Sequence, residues 1–529
     1  MSLVMSTLDL LKTILMVLKN MSCCKAEIFR WCEREDVVYT DTGGKEYCVF
    51  HAPQGKKGIT VKEFKERVFK RINDAKSNAS LYKASPAGPI PKNKKEIWSC
   101  NLSGTIFEGD IDFGNLTSLP PINFFYSTFS GTTGFENVVF NGEANFKKVT
   151  FNNIASFALA TFKDKVCLDQ AKFNKVAAFN GTIFEDKAYF RNVRFSSGAN
   201  FSIANFKREA IFSGSGFGEE ADFNRTTFNE DAYFLGETFI TRNESADNTP
   251  LEKLSSDDWV NRRNAEEVYP QRLTKGNFKE LNIKGKIRFE RSNFTRISFL
   301  DTDLRKIDFI NCVWPKKFGR EILYDEIILF GDEDYERFKG KPSEILKREW
   351  SLFKRDISCD KEEIKKVEIL YRRLKQKFKE EHDEAEVSNW HYGEKEMRRK
   401  GNRFRRLFPL SLSNLYWFSS GYGERPLRAG VVLLLLIFTI SALFRLAGLI
   451  PSNASPSYEI IEIKSWTDLI NFHNIKAIVL NTLQYATFEN KPDFIPRTIY
   501  GGYLKLATRI LIPLQAALFV LAVRNRFRR

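Results

Sequence analysis

Motifs that mark common catalytic chemistries are absent from this sequence. It contains no Gly-x-x-x-x-Gly-Lys-Ser/Thr phosphate loop, no His-Glu-x-x-His metalloprotease signature and no Gly-x-Ser-x-Gly nucleophile elbow. We therefore predict that the protein is not an enzyme. Histidine is scarce, with four residues in 529, and most of the eight cysteines are scattered singly, unlike a disulfide framework. We expect the chain before its apolar C-terminus to lie in a reducing, cytosolic compartment.

Phenylalanine, in contrast, is abundant, with 48 residues. From Phe129 it recurs at alternating steps of six and five residues, and this spacing continues to Phe239 with one leucine substituted. A small residue, usually alanine, stands two positions before every second member, from Ala144 to Ala232. Neither an amphipathic helix nor a flat strand keeps such steps on one face. The pattern predicts a solenoid that bends every five or six residues and points one ring inward from each face.

This spacing resembles that of the pentapeptide-repeat family, which implies a right-handed quadrilateral β-helix. In that family a central Leu or Phe is preceded, two positions earlier, by a small residue. The alternation of five and six implies about 22 residues per coil instead of about 20. The step returns to five between Phe289 and Trp314. We therefore assign residues 96–240 and 276–315 to the β-helix, with an insertion at residues 241–275.

Five of the twelve cysteines and histidines fall between positions 23 and 51. Cys48 and His51 have the C-x2-H spacing of a zinc knuckle, and Cys24 and Cys32 complete a set of three thiolates and one imidazole. This donor set is typical of a closed, structural zinc site. Cys23 competes with Cys24 as a ligand. The alternative is that these cysteines are buried as small apolar side chains.

The segments around this cluster and after the solenoid complete the predicted domain organisation. Residues 1–20 are expected to form an amphipathic helix or an N-terminal extension, and residues 21–95 a small Cys/His domain. Residues 316–428 are predicted to be a helical linker, because apolar residues recur at three- and four-residue steps between 361 and 381. A second helix is expected at about 385–399. We expect the two to pack as a hairpin; the alternative is a coiled coil between copies.

The C-terminal residues 429–529 contain two long apolar stretches, 429–450 and 504–523. A helix of the first length rises about 33 Å, enough to span a hydrocarbon core of about 30 Å. Basic residues flank the pair on one side, at Arg425, Arg428, Arg524 and Arg526. The positive-inside tendency then predicts a multi-pass protein of the inner or plasma membrane, with both termini cytoplasmic. These flanks contribute much of the net charge of +16, so no nucleic-acid partner is expected.

A short apolar helix is predicted between the two spans, from Ile475 to about Tyr485, with Asn474 as its N-cap. Gly421-Tyr422-Gly423, although it matches the core of a potassium-selective filter, precedes the first span. A filter must lie between the spans. We therefore interpret this tripeptide as a turn at the membrane surface.

The order of span, short helix, turn and span resembles the two-span potassium-channel-like pore module. The flanking segments and residues 371–400 resemble those of a bacterial group that joins pentapeptide repeats to such a module. The resemblance implies that Thr482, Thr487 and Glu489 line a pore. No Thr-Val-Gly-Tyr-Gly run follows the short helix, so potassium selectivity is not implied.

Two hypotheses for the function follow. The first is a channel-like protein in the lipid bilayer, with a weakly selective pore formed by several copies, a homotetramer being the expected form. Its cytosolic solenoid would sense or bind a protein partner. The alternative is a membrane-anchored β-solenoid scaffold that binds a protein partner without conducting ions.

Overall fold

The computed structural model describes residues 23, 25–29, 31–32, 35–83, 100–236, 275–317, 320–330, 361–401, 411–452, 472–489 and 492–527. The chain divides into two compact units, Met1–Ile328 and Leu329–Arg529. The predicted N-terminal helix at 1–20 lies outside the described residues. So do Cys24 and all of the insertion except Lys275.

The first unit begins with helix α1 (Ala26–Phe29), an antiparallel hairpin of Val37–Thr40 with Glu46–Cys48, and helix α2 (Val61–Lys83). The hairpin turn is closed by Asp41, whose Oδ1 accepts hydrogen bonds from the backbone of Gly43 and Lys45, both at 2.9 Å. Helix α2 starts with a capping box. The Thr60 hydroxyl accepts from the Glu63 amide, and the Glu63 carboxylate accepts from the Thr60 amide at 2.8 Å.

Four parallel sheets of short strands then form a β-solenoid of about eight turns. The nine-stranded sheet consists of Cys100–Asn101, Ile122–Asn123, Ala144–Asn145, Val166–Cys167, Ala188–Tyr189, Ala210–Ile211, Ala232–Leu235, Ile287–Glu290 and Ile307–Ile310. The eight-stranded sheet consists of Ile111–Asp112, Thr133–Gly134, Ala155–Ser156, Ala177–Ala178, Ala199–Asn200, Glu220–Asp222, Lys275–Asn277 and Ile297–Ser298.

The other two sheets are shorter. The seven-stranded sheet consists of Ser118–Leu119, Val139–Phe140, Thr161–Phe162, Ile183–Phe184, Asn205–Phe206, Thr227–Phe228 and Asn282–Ile283. The six-stranded sheet consists of Ile106–Phe107, Thr128–Phe129, Thr150–Phe151, Lys172–Phe173, Arg194–Phe195 and Gly216–Phe217. Two short 3-10 helices, Gly114–Leu116 and Leu304–Lys306, lie near the two ends of the solenoid.

The core confirms the phenylalanine spacing as the signal of a solenoid. Phe140 pairs with Phe162, 22 residues later, whereas Phe289 pairs with Phe309, 20 residues later, as the change of step predicts. Rings from successive coils stack in columns; in one, Phe157, Phe179 and Phe201 follow each other at 4.8 Å between centroids. The alanines two positions before are fully buried, because the narrow interior has room only for small side chains beside the rings.

Residues 316–330 close the C-terminal end of the solenoid. They form an antiparallel pair, Lys316–Lys317 with Arg320–Glu321, followed by helix α3 (Tyr324–Phe330). The carboxylate of Asp325 accepts hydrogen bonds from the Ser298 hydroxyl and from the Phe299 amide at 3.0 Å. Because no further coil follows, these two donors have no acceptor in a next strand, and the Asp325 carboxylate at the start of α3 takes that place.

The second unit is helical. Helices α4 (Lys361–Glu380) and α5 (Glu384–Gly401) form an antiparallel hairpin, close to the predicted bounds. Gly393 permits this close approach, because a Cβ there would lie 2.3 Å from the Tyr371 ring. Helix α6 (Leu412–Ser420) precedes α7 (Pro426–Ala447), α8 (Phe472–Ala486) and α9 (Ile499–Phe527). An antiparallel strand pair, Leu449–Pro451 with Phe494–Pro496, links the end of α7 to the start of α9.

Two details of the predicted helices differ from the structure. Helix α8 begins at Phe472, so Asn474 lies inside the helix and is not its N-cap. The second apolar helix is longer than the stretch 504–523, because its polar ends continue the same backbone hydrogen bonding. Among the described residues, α7 and α9 are the helices long and apolar enough to cross a membrane. In each helix, only 22% of the most apolar 18-residue stretch is buried within the chain, whereas a core helix of a soluble protein is mostly buried.

Candidate metal centre and membrane module

Cys23, Cys32, Cys48 and His51 form a buried cluster at the N-terminal end of the solenoid. One ligand atom from each residue lies within 4.8 Å of all the others. The hairpin delivers Cys48, and the tight turn after it brings His51 back, with the His51 amide donating to the Cys48 carbonyl at 3.0 Å. The cluster can hold a metal ion such as zinc, for which three thiolates and one imidazole are a common structural set.

The ring of His51 is oriented for metal binding. Its Nε2 lies 3.0 Å from the carbonyl oxygen of Ser103 and donates to it, which leaves Nδ1 free to act as a ligand. Nδ1 lies 3.2 Å from the sulfur of Cys48 and 3.5 Å from that of Cys23. The carbonyl of Ser103 belongs to the first coil of the solenoid, so the candidate centre is attached directly to that coil.

Aromatic and cationic side chains enclose the cluster. Phe29 stacks on the His51 ring with 5.3 Å between centroids, and Trp31 donates from its indole nitrogen to the same Ser103 carbonyl at 3.0 Å. The guanidinium of Arg71 lies 4.3 Å from the Trp31 ring. This packing excludes water from the sulfur atoms and holds the imidazole ring in place.

Lys57 supports the loop that carries two of the four ligands. Its ammonium group is only 2% exposed and donates to the carbonyls of Val49, Phe50 and Ala52 at 2.6, 3.3 and 3.2 Å. It also lies 4.4 Å from the Phe64 ring. Burial lowers the pKa of Lys57 to about 8.

The sulfur atoms and the imidazole influence one another's protonation. Hydrogen bonds from Cys32 and Cys48 lower the pKa of the Cys23 thiol. Hydrogen bonding to Cys23 raises the pKa of Cys32 instead. For His51, burial opposes the protonated ring, but hydrogen bonds to Cys23 and Cys48 outweigh it and raise the pKa to about 9. A metal ion would replace the protons that these groups now share.

The sequence pattern identified three members of this cluster and named Cys24 as the fourth, with Cys23 as its competitor. The structure places Cys23 in the cluster, while Cys24 lies outside the described residues. The choice depends on which way α1 turns the chain toward the hairpin, which the spacing of the cysteines does not encode. Sequence reasoning also missed Lys57 and Arg71, because single basic residues carry no recognisable pattern.

In the second unit, helix α8 packs against both candidate membrane-spanning helices. Phe444 of α7 stacks on Tyr485 with 5.3 Å between centroids, and the Ser441 hydroxyl donates to Thr482 at 2.9 Å. From α9, the Lys505 ammonium lies 5.0 Å from the Tyr485 ring. The Tyr485 hydroxyl donates to the Phe494 carbonyl at 2.6 Å and so joins α8 to the strand pair.

The three residues predicted to line a pore lie in different environments. Thr482 is fully buried at the contact of α7 with α8, where its hydroxyl also donates to the Ile478 carbonyl at 2.9 Å. It thus faces the interior of the chain. Thr487 and Glu489 are exposed just after α8. In the described part of the chain, Thr482 therefore does not share the exposed surface on which Thr487 and Glu489 lie.

Gly421-Tyr422-Gly423 forms the turn that the sequence predicted between α6 and α7. All three residues have positive φ, at 56°, 62° and 77°, which ends α6 and redirects the chain. The Tyr422 hydroxyl donates to Glu396 of α5 at 3.1 Å, and Glu396 is paired with Arg399 at 2.6 Å. Burial raises the pKa of Tyr422, so it remains a donor. This buried network joins the hairpin to the base of α7.

The predicted basic flanks divide into two kinds. Arg425 and Arg428 are half-buried, and each guanidinium lies 5.3 Å from an aromatic ring, that of Tyr392 and that of Trp417. Arg524 and Arg526 are exposed near the end of α9.

Sequence reasoning missed Gln515, whose amide donates to the carbonyls of Ser419 and Ala429, both at 3.0 Å. These two hydrogen bonds tie α9 to the end of α6 and to the first turn of α7.

Comparisons with known proteins agree with the solenoid. The family model described as "Pentapeptide repeats (9 copies)" matches residues 124–166, 157–202 and 168–216. Neither the curated proteins nor the solved structures gave a match to the chain. The chain therefore contains pentapeptide repeats that fold as a β-solenoid, joined to a helical region with two candidate membrane-spanning helices.

Proposed function

We propose that this protein is a membrane-anchored β-solenoid scaffold that presents a rigid surface to a protein partner. The observation that carries this choice is the charge around the end of α8, where a pore would place its selective segment. Lys505 lies 5.0 Å from the Tyr485 ring, and Arg509 lies 5.7 Å from the Phe488 ring. Cationic side chains in this position oppose the entry of cations, which selective pores favour with carbonyls or carboxylates.

The proposed anchor consists of α7 and α9. Their outer faces are apolar, with Leu434, Leu435, Phe438, Leu506, Ile510 and Leu514 each more than half exposed. In water, such a surface is larger than a soluble monomer normally carries, and in a bilayer it is the surface expected to contact lipid.

The proposed metal is a structural zinc ion that caps the solenoid. The carbonyl of Phe50 accepts the Ile106 amide at 2.9 Å, just as Thr105 accepts Thr128 at 2.9 Å one coil later. The loop between Cys48 and His51 therefore continues the ladder beyond the first coil. An uncovered end would expose strand edges to pairing with other chains. Zinc at Cys23, Cys32, Cys48 and His51 would hold this covering loop in place.

The solenoid offers a candidate surface for the partner on its eight-stranded sheet. Ile154, Leu159, Val176 and Ile203, the apolar strip, flank three consecutive strands of this sheet and are 45–63% exposed. Ile203 has φ of 60°, as the equivalent turn positions of other coils do, for example Lys148 at 59° and Gln170 at 61°, so this conformation belongs to the solenoid turn. Exposed apolar side chains that lie close together mark interaction surfaces, which favours the strip as the docking surface.

Ion flux into proteoliposomes separates the scaffold from a channel. We expect wild-type protein to give the same potassium and chloride flux as vesicles without protein. Flux above that background that changes in Glu489→Gln would refute the scaffold and place Glu489 in a permeation path. The channel hypothesis remains the second candidate, because α8 packs between two apolar helices as a pore helix does.

The partner surface is tested with a photo-crosslinking residue at position 203 in cells. The matched control is position 205, an outward residue of the adjoining seven-stranded sheet. We expect one adduct of defined mass from position 203, reduced by Leu159→Asp, and none from position 205. The adduct protein, purified separately, should bind wild type more tightly than Leu159→Asp. Equal crosslinking at both positions would remove the strip as the docking surface.

A further inference from the structure

Unpaired hydrogen-bond donors accumulate in the membrane module, which we define as α7, α8, α9 and the strand pair. Among the described residues, four of its buried side-chain atoms have no hydrogen-bond partner: Nε and Nη1 of Arg445, Nδ2 of Asn481 and Nε of Arg509. All four are donors, and no buried side-chain acceptor of the described module is left in this state. Buried donors are normally satisfied, so these four atoms require an acceptor that lies outside the described residues.

The same region carries uncompensated positive charge. Arg445 is only 6% exposed, in the last turn of α7, and Lys505 and Arg509 are half-buried on α9. None of the three takes part in an ion pair with another described residue. The described carboxylates between α8 and the strand pair, Glu489 and Asp493, are both exposed, and Asp493 accepts a hydrogen bond from Gln484. Cations within apolar helices normally have a partner, so their accumulation here indicates an anion.

Packing brings Lys505 and Arg509 beside the rings at the end of α8, and Arg445 lies in the last turn of the neighbouring α7. Phe444, next to Arg445 in the chain, stacks on Tyr485, and the Lys505 ammonium lies on that same ring at 5.0 Å. Arg509, one helical turn after Lys505, lies by Phe488. The C-terminal end of the α8 dipole carries roughly half a negative charge, which cannot balance three positive charges.

The depth of the cluster fits the boundary between lipid headgroups and hydrocarbon. Lys505 is six residues from the first residue of α9, a rise of about 9 Å. Arg445 is two residues from the last residue of α7, a distance of about 3 Å along the axis. Both lie near the end where α7 finishes and α9 starts, and Arg509 lies one turn deeper than Lys505.

We propose that Arg445, Lys505 and Arg509 form a binding site for the phosphate group of an anionic phospholipid. Guanidinium and ammonium groups form charge-assisted hydrogen bonds with phosphate oxygens. Lys505 and Arg509 are partly exposed and contact the phosphate from the lipid side. The buried Arg445 adds positive charge and donors without a partner among the described residues at the same end of the module. The proposal rests on the membrane placement of α7 and α9.

The test measures lipid binding to the full chain purified in a non-ionic detergent. Phosphatidylglycerol, zwitterionic phosphatidylcholine and inorganic phosphate are compared by native mass spectrometry and by the melting temperature. We expect wild type to retain phosphatidylglycerol and to melt several degrees higher with it than with phosphatidylcholine. The double variant Lys505→Gln with Arg509→Gln should bind phosphatidylglycerol at least tenfold more weakly. The matched control, Arg524→Gln with Arg526→Gln at the opposite end of α9, should bind as wild type does.

Each other outcome counts against the site. Equal phosphatidylglycerol binding by wild type and the Lys505/Arg509 double variant overturns it. Stabilisation by inorganic phosphate without an effect of phosphatidylglycerol overturns the lipid assignment. Loss of an oligomer in the double variant, with no dependence on lipid, assigns the cations to an acidic group of a second copy instead. Carbonate washing of membranes tests the anchor separately, since wild type stays in the membrane if only the lipid site is wrong.

Discussion

Removal of zinc should loosen the first coil of the solenoid and leave the second coil unchanged. The perturbation is a chelator, or the substitution Cys48→Ala, applied to the full chain. The structure shows what is lost when the loop from Cys48 to His51 and the segment of Trp31 and Cys32 detach together. The Ile106 amide loses the Phe50 carbonyl, and the Ser103 carbonyl loses both the His51 and Trp31 donors.

These three hydrogen bonds give the magnitude. Each contributes about 1 kcal/mol, so the local opening free energy of the first coil should fall by about 3 kcal/mol. Because every 1.4 kcal/mol is a factor of ten, the Ile106 amide should exchange with solvent deuterium about 100-fold faster. The Thr128 amide, whose acceptor is Thr105 within the solenoid, is the internal control and should not change.

The assay is hydrogen–deuterium exchange with mass spectrometry, together with metal analysis. We expect one zinc per chain before chelation and none afterwards. Metal content should also fall as the pH is lowered, because protons compete for His51 and the thiolates. The reasoning is refuted if zinc leaves while the exchange of Ile106 stays the same. It is equally refuted if Ile106 and Thr128 are accelerated together, since the metal would then support the whole solenoid.

Three further predictions concern the interior, and each is measured as thermal or chemical stability of the purified chain. Phe179→Ala should lower the free energy of unfolding by about 3–5 kcal/mol. Phe179→Leu should lower it by less than about 1.5 kcal/mol, because a leucine already fills the equivalent position 168 of a neighbouring column. Equal losses in the two variants would contradict the stacking argument. Tyr422→Phe should cost about 1–2 kcal/mol by removing the hydrogen bond that Tyr422 donates to Glu396, which keeps its pairing with Arg399, whereas Tyr503→Phe, 70% exposed, should have no effect. Burial raises the pKa of Asp325 above its unfolded value of about 3.9, so stability should fall as the pH rises from about 4 through the folded pKa. Asp325→Asn should remove that slope and the exposed Asp301→Asn should keep it.

The solenoid could be predicted closely because its contacts are nearly one-dimensional. Each coil packs on the coil before it, so a ring such as Phe162 meets Phe140 and Phe184 at a constant separation along the chain. The candidate membrane-spanning helices were also recognisable, since length and apolar composition decide them. The donor set of the candidate metal centre was also visible in the sequence. Cys48 and His51 have the spacing of a zinc knuckle, and Cys32 precedes the same hairpin.

Other features depend on contacts between segments far apart in the sequence. The burial of Thr482 against Ser441 depends on how α8 docks on α7, and periodicity cannot give that docking. The partnership of Tyr422 with Glu396 depends on where the hairpin meets the turn. Neither residue belongs to a pattern that marks its role.

By itself, the sequence determined the repeating interior, the two apolar helices and most of a set of side chains that could hold a metal ion. Each of these is specified by residue type and spacing along the chain. The tertiary structure decided that Cys23 joins the cluster, that a loop covers the first coil, and that Lys505 and Arg509 lie beside the rings at the end of α8. The physical reason is that burial, orientation and charge compensation are properties of neighbours in space, and here those neighbours come from separate segments.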